Sequence, residues 1–372
     1  MDGRPLDEYF AAIPDPRTNH WLQRHSLRDI LLISVCANIG GADTFEEIAA
    51  FGRAKIDWFK EFLDLPNGVP SHDTFNRVFN HLDHDRFKEC FLSWVSDVCR
   101  LCEGEVIAID GKTMRASGGK AHKALHVVSA WACSNGLVIG QKATEEKSNE
   151  ITAIPKLLEM IKVKGCIVTM DAMGCQKEIA KKIIEDESDY VLSLKGNQGS
   201  LHQDIKLNFD EVLPDVLNQK TSDNYETVDA DHGRIETRRY WISDDIDWLD
   251  QKNDWPGLRS VGIVESRRET DDKISVERRY FITSIAANAK IFANAVRSHW
   301  GVENSLHWSL DVTFNEDRNT VKGQAALNLN QLRHLVLNIL KQDKSKGSLK
   351  GKRRSAGWNN DYLKKLLENH VL

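Results

Sequence analysis

Two apolar runs in this chain stop abruptly at an aspartate, and they constrain the fold more than any other feature. Val106-Ile107-Ala108-Ile109 leads into Asp110 and Gly111, and Cys166-Ile167-Val168-Thr169-Met170 leads into Asp171. Runs this apolar and β-branched read as buried central strands. A carboxylate at the mouth of such a strand must be hydrogen-bonded, paired with a cation, or used in chemistry. Asp110 taken alone could equally cap the turn at Gly111. A helical pattern precedes the second run and another follows it, so the two strands can lie side by side in a mixed sheet. Asp110 and Asp171 would then be neighbours.

The surrounding order supports a sheet of this kind. After the first run come Ala124–Trp131, a Ser134-Asn135-Gly136 turn and Leu137–Gln141, which together read as an antiparallel meander. A helix over Glu150–Ile161 precedes the Asp171 strand, and a helix over Gln176–Glu187 leads to the strand Tyr190–Leu194, whose mouth carries Lys195, Asn197 and Gln198. Residues 1–102 have helical spacing throughout. Within them Ser71 caps a helix over 73–82 whose Asn76, Arg77 and Asn80 would read base edges in a helix-turn-helix, or simply face solvent in a helical packing domain. From 200 to 288 the pattern loosens into strands and loops, read as an insertion. Helical spacing returns over 291–311, placing His299, Glu303 and His307 four apart on one face, and again over Ala325–Lys341. A basic tail and a short helix, Asp361–Asn369, close the chain.

Composition narrows the class. With 372 residues, 41% hydrophobic and 28% charged, the chain has room for two or three domains around a large core. The start lacks the order of a signal peptide and the longest apolar run, Ile30–Ile39, is too short to span a bilayer, so a cytoplasmic protein without membrane or small-molecule partners is expected. Seven cysteines, an odd number scattered over the chain, suit reduced thiols, and Cys99-Arg100-Leu101-Cys102 lacks the second pair that a zinc site needs. The net charge of −5 is unlike that of a simple nucleic-acid binder. Local patches matter more than the sum, and basic residues cluster at Arg234, Arg238 and Arg239, at Arg267 and Arg268, at Arg278 and Arg279, and from Lys341 to Arg354. Each cluster taken singly reads as a solvated face.

Two aspartates at adjacent strand ends and Glu303 on a late helix supply the oxygen ligands that hard divalent cations need. A pair of such ions about 3.5–4 Å apart serves phosphoryl transfer by stabilising both the attacking and the leaving oxygen. Glu303 could instead pair with Arg297 or His299, and Asp311, Glu316 or Asp317 could replace it. His299 and His307 beside Glu303 leave zinc as an alternative, although they lack the two-histidine motif with an adjacent glutamate. Trp300 and Trp308 are expected in the core rather than as stacking platforms.

Four segments, Ala108–Thr113, Lys147–Ile151, Asp171–Gln176 and His299–Trp308, together with Pro70–Thr74, resemble the H-repeat-associated transposases, bacterial insertion-sequence enzymes of the DDE superfamily. The resemblance runs over nearly the whole chain. It implies an α/β fold: a ribonuclease-H-like mixed-sheet catalytic domain with a β-rich insertion, preceded by an all-helical N-terminal domain. The expected divisions are 1–102 for DNA-end binding, 103–199 for the first part of the catalytic domain, 200–288 for the insertion, 289–345 for the last catalytic helices, and 346–372 for the tail. Matched by motif, Asp110, Asp171 and Glu303 correspond to the catalytic, metal-binding triad, holding two Mg²⁺ or Mn²⁺ ions. Val296, His299 and Leu310 stand where the wider superfamily often has tyrosine, arginine and lysine. Candidates for DNA contact are Asn76, Arg77, Lys112, Lys195, Arg234, Arg238, Arg297 and His299. The implied activity is cleavage of the element's terminal inverted repeats and strand transfer into target DNA, by a dimer or higher assembly. A transposase remnant that only binds DNA, or a stand-alone nuclease of the same fold, are the other readings.

Overall fold

The computed structural model describes residues 4–17, 23–119, 123–144, 149–210, 214–231, 234–270 and 273–368. Lys147, Ser148, His232, Gly233 and Asn369 therefore lie outside the described residues. Six helices come first: α1 (Leu6–Phe10), α2 (Leu27–Ile39), α3 (Phe45–Ala54), α4 (Ile56–Phe59), α5 (His72–His81) and α6 (His84–Val98). Then follow β1 (Val106–Met114), β2 (Leu125–Ala132), β3 (Leu137–Ala143), α7 (Glu150–Leu158), β4 (Ile167–Met170), α8 (Lys177–Glu185) and β5 (Asp189–Leu194). The stretch read as strands and loops opens instead with two helices, α9 (Gly199–Phe209) and α10 (Pro214–Lys220). Four strands complete it: β6 (Asp223–Asp231), β7 (Arg234–Ser243), β8 (Ser260–Thr270) and β9 (Lys273–Thr283). Five more helices follow among the described residues: α11 (Ala289–Gly301), α12 (Trp308–Thr313), α13 (Gly323–Gln342), α14 (Leu349–Trp358) and α15 (Asn360–Glu368).

The nine strands of the described residues join one mixed sheet in the order β3-β2-β1-β4-β5-β9-β8-β7-β6. β1, β4 and β5 are parallel, and the other pairings are antiparallel. The inserted strands thus extend the sheet, because β9 pairs along β5 instead of forming a layer of its own. Alternation divides β1 between two cores. Val106 joins Ile167, Val191, Tyr240, Val264 and Phe281 beneath Phe292 and Val296 of α11. Ile107 and Ile109 face a larger core shared with α7, α8 and the N-terminal helices.

β1 does not end at Asp110. Pairing with β2 continues to Met114, whereas pairing with β4 stops at Ile109 and Met170. Asp110 therefore sits where the sheet forks, one rung past the last β4 partner and level with Asp171.

The N-terminal helices share their core with the rest of the chain, through α13. This helix is buried on every side and carries amides at its contacts. Asn328 Nδ2 donates to the carbonyls of Phe79 and Leu82, and Asn338 satisfies both the N–H and the carbonyl of Val138 on edge strand β3. The basic tail is also folded: α14 buries Lys352 and Arg353. No helix among the described residues is long and apolar enough to cross a membrane. All seven cysteines are free thiols, with Cys99 buried and Cys102 exposed.

His334 on α13 is wholly buried, and burial holds its pKa down to about 4, against the pull of Glu316 and with Lys112 and Arg333 opposing its charge. The unfolded chain then binds this proton more readily, so stability is full above the ordinary 6.5 and is lost as pH falls towards 4. The loss reaches on the order of 3 kcal/mol. Because the raised pKa of Asp110 gives the parent an opposing slope over the same range, the test is the difference between variants. Urea unfolding of the parent and of His334→Leu should diverge by about this contribution between pH 7.5 and 5, and a difference that does not change with pH would contradict the assignment.

Candidate active site

Parity along the strands places Asp110 and Asp171 on the α11 face of the sheet, with Ile167 and Thr169 of β4. Asp171 turns the chain into α8: its Oδ1 accepts the N–H groups of Met173 at 2.9 Å and Gly174 at 3.4 Å. Across from them α11 continues into a π-helical turn, Val302–His307, and then α12. A π turn adds a residue to the helical repeat and is frequent at functional sites. Here it carries Glu303, with His299 just before it and His307 at its end.

Asp110, Asp171, Glu303, His299 and Lys195 line one cavity of about 510 Å³. His307 Nδ1 lies 3.5 Å from Asp110 Oδ2 and 3.5 Å from Glu303 Oε2. The ligand atoms of Asp110, Glu303 and His307 fall within 4.8 Å of one another; Asp171 stands outside that tight group. Sequence reasoning raised His307 only as a zinc alternative. The sole signal for it was its spacing of four from Glu303.

The acids repel one another. Burial, then the charge of Glu303, then those of Asp171 and Glu150, push Asp110 up to about 8. Burial lowers both His299 and His307, with Asp171 and Glu303 opposing it at the first and Glu303 at the second. His299 Nδ1 is pinned at 3.0 Å to the Thr169 hydroxyl. A cation between the carboxylates would relieve their repulsion, and two carboxylates with one imidazole suit a divalent metal. The donor set fits such an ion.

The other candidates divide by their surroundings. Lys112 Nζ is enclosed by Asp311 at 2.7 Å, Glu316 at 3.2 Å and Asp317 at 3.1 Å. Burial would lower its pKa, but these carboxylates outweigh that and raise it. The same contacts occupy the three acids that might have replaced Glu303. Arg238 is buried and paired with Asp229 at 2.5 Å and Glu236 at 2.6 Å. Lys112 and Arg238 are thus already neutralised within the fold. Lys195, Arg234 and Arg297 are exposed, as are Asn76 and Arg77 on α5. Arg234 and Arg297 join Arg238, Arg268, Arg279 and Trp300 around a second cavity of about 350 Å³, which shares Arg279 and Trp300 with the first. Trp300 and Trp308 are not core residues: they are 47% and 57% exposed, and the Arg279 guanidinium lies 5.4 Å from the Trp300 ring centroid.

A mixed sheet with carboxylates at adjacent strand positions, a third acid on a facing helix and an arginine-lined cavity alongside is the kind of arrangement that metal-assisted phosphoryl transfer calls for. Comparison with known proteins gives the family. Residues 102–339 match the family described as "Transposase DDE domain", and residues 8–95 match "DDE_Tnp_1-associated". The chain belongs to the DDE transposases. It is 42% identical to "H repeat-associated putative transposase YhhI" of Escherichia coli (strain K12) over 377 residues, 99% of this chain and 98% of the relative. A protein of Xanthobacter autotrophicus is 48% identical over 284 residues, 75% of this chain and 94% of its own length. A distant likeness, with TM-score 0.43 and 11% identity, links 97% of this chain to 77% of a piggyBac transposase chain in a synaptic complex with hairpin DNA.

Proposed function

We propose that this protein is a DNA transposase that cleaves the ends of an insertion sequence and transfers the freed strand into target DNA. The observation that carries this reading is the meeting of Asp110, Asp171 and Glu303 around one cavity, in a chain of the DDE transposase family. On this reading β1–β5 form a ribonuclease-H-like core, extended by β6–β9. Asp110, Asp171 and Glu303 hold Mg²⁺ or Mn²⁺, as two ions, and His307 orients the first and last of these acids. The metal supplies Lewis-acid polarisation of the phosphodiester and a more acidic water. Lys195 and Arg279 at the cavity hold the scissile phosphate, and Arg234 and Arg297 track the strand beyond it. The exposed Asn76 and Arg77 of α5 contact the element end, and a dimer or higher assembly brings two ends together.

Incubation with DNA carrying the native flanks, with Mg²⁺ or Mn²⁺, should yield cuts that map to the terminal repeats. Cutting that ignores the repeats, or that persists in chelator, would sink the proposal. Arg234→Ala and Arg297→Ala should each reduce the slope of log affinity against log salt by about 1. Arg238→Ala should leave the slope unchanged and lower stability instead, because its charge is already spent on Asp229 and Glu236. An equal loss of slope in all three would contradict this division.

A further inference from the structure

The acid site uses one face of β1. The opposite face carries a chain of three side chains with no role so far. His126 on β2 lies directly across from Thr113, three residues past Asp110. Its Nδ1 meets the Thr113 hydroxyl at 2.7 Å, and its Nε2 meets Glu150 Oε1 at 2.8 Å. A carboxylate only accepts, so Nε2–H donates to Glu150. Glu150 is the first residue of α7, behind its cap Asn149.

This chain is wedged under the backbone next to Asp110. A Cβ at Gly111 would fall 2.2 Å from Glu150 Oε1 and 2.6 Å from His126 Nε2. Glycine is needed there for close approach, since only without a side chain can β1 pass over the pair. His126 and Glu150 line a cavity of about 820 Å³ with Lys123, Thr144, Lys322 and Gln324.

The location gives the chain its use. Beyond Ile109 the strand has lost its β4 partner, so within the sheet only β2 pairs with it, while Lys112 ties its acid-site face to Asp311, Glu316 and Asp317. A metal ligand where strand pairing is lost depends on side-chain contacts for its position, and a displacement of about 1 Å is enough to cost a hundredfold in rate. On the opposite face from Lys112, Thr113, His126 and Glu150 tie this stretch to β2 and to the start of α7.

We propose that Thr113, His126 and Glu150 are positioning residues for the cleavage reaction, fixing the backbone of β1 so that the Asp110 carboxylate is held at the metal site. The inference rests on the proposed function. The parent protein is compared with His126→Ala, Glu150→Ala, Glu150→Gln and the nearly isosteric Thr113→Val. Mn²⁺ binding without DNA is measured by calorimetry, together with kcat and KM for end cleavage and the thermal midpoint. His126→Ala and Glu150→Ala should weaken Mn²⁺ binding and lower kcat about 10–100-fold, the usual scale for a group that orients a metal ligand. KM for DNA should stay near the parent value. Thr113→Val should lose several-fold, and Glu150→Gln should recover most of the loss because its amide oxygen still accepts from Nε2–H.

Variants that bind Mn²⁺ and turn over as the parent does would overturn the inference and leave the proposed function standing. So would a raised KM at unchanged kcat, which would make the cavity a DNA-docking groove. Thermal midpoints that fall while Mn²⁺ affinity and kcat, measured well below them, remain intact would reduce the chain to a structural role and overturn it too. A parent protein that binds no Mn²⁺ would overturn the proposed function and this inference with it.

Discussion

Asp110→Asn should abolish end cleavage while making the metal-free protein more stable at alkaline pH. Burial and the neighbouring Glu303, Asp171 and Glu150 raise Asp110 from its ordinary 3.8 to about 8. Between those values the folded state binds more protons than the unfolded chain, so stability falls as pH rises through the window and the penalty is complete above 8. Asparagine carries no charge and escapes it. The unfolding free energy of the variant should therefore exceed that of the parent near pH 9, by an amount on the order of a few kcal/mol, and the two should converge near pH 4. Mn²⁺ should reverse the order by stabilising only the parent. Cleavage should fall by roughly a thousandfold or more, the upper scale for loss of one electrostatic stabiliser. Parent-level cleavage by the variant in Mg²⁺ would refute the assignment of Asp110 as a ligand.

Arg353→Ala should be the most damaging change far from the site. The guanidinium is buried on α14 and donates to the carbonyls of Asn38 at the end of α2, Ala42, and Thr313 at the end of α12, and to Asp43 Oδ1. It also lies 4.2 Å from the centroid of the Phe314 ring. Helix C-terminal carbonyls have no partners within their own helix, so one side chain satisfies two helix ends at once. Alanine would leave the Thr313 carbonyl and Asp43 Oδ1 buried without this donor and would take a donor from the Asn38 and Ala42 carbonyls, which keep only Gly41 N–H and Asn38 Nδ2, at a cost of about 3–5 kcal/mol. Arg353→Lys should recover only part, because an ammonium lacks the planar fork. Denaturant unfolding measures both, and a loss below about 1 kcal/mol would be inconsistent with this role. The salt dependence of DNA binding should not change.

Arg353 also shows where sequence reading stops. Lys341–Arg354 reads as a basic tail because nothing local distinguishes a solvated arginine from one whose partners lie more than 300 residues away. Lys112 and Arg238 are similar: their type suggests phosphate contact, yet their charges are consumed by acids brought in by other elements. Trp300 and Trp308 misled in the opposite sense. Their size suggests burial, but on the continuous helix through α11 and α12 they point away from the core.

The candidate site was legible to different depths. Asp110 and Asp171 stand out because an acid at the end of an apolar run conflicts with burial, and the run order makes β1 and β4 neighbours. Glu303 is reached as the third acid from its place on a late helix, with Asp311, Glu316 and Asp317 left open as alternatives, and the family resemblance points to the same residue. His307 as the near neighbour of both Asp110 and Glu303 was beyond reach. It depends on a π turn that no periodicity announces, and on how that turn seats over β1.

By itself, the sequence determined the helical first quarter, the succession of strands and helices in the core, two aspartates at the ends of strands able to lie side by side, and the resemblance to a transposase family. These rest on local patterns, namely apolar alternation, helical spacing and short motifs, which survive without knowledge of distant partners. Tertiary structure alone decided that β1 runs on past Asp110 with only β2 beside it, and that the inserted strands prolong the same sheet. It also decided that the N-terminal helices share a core with α13, and that Thr113, His126 and Glu150 meet beneath Gly111. Each of these depends on backbone pairing and on hydrogen bonds between residues far apart in the chain. Such partners are chosen by packing the whole molecule, and no window of sequence contains them.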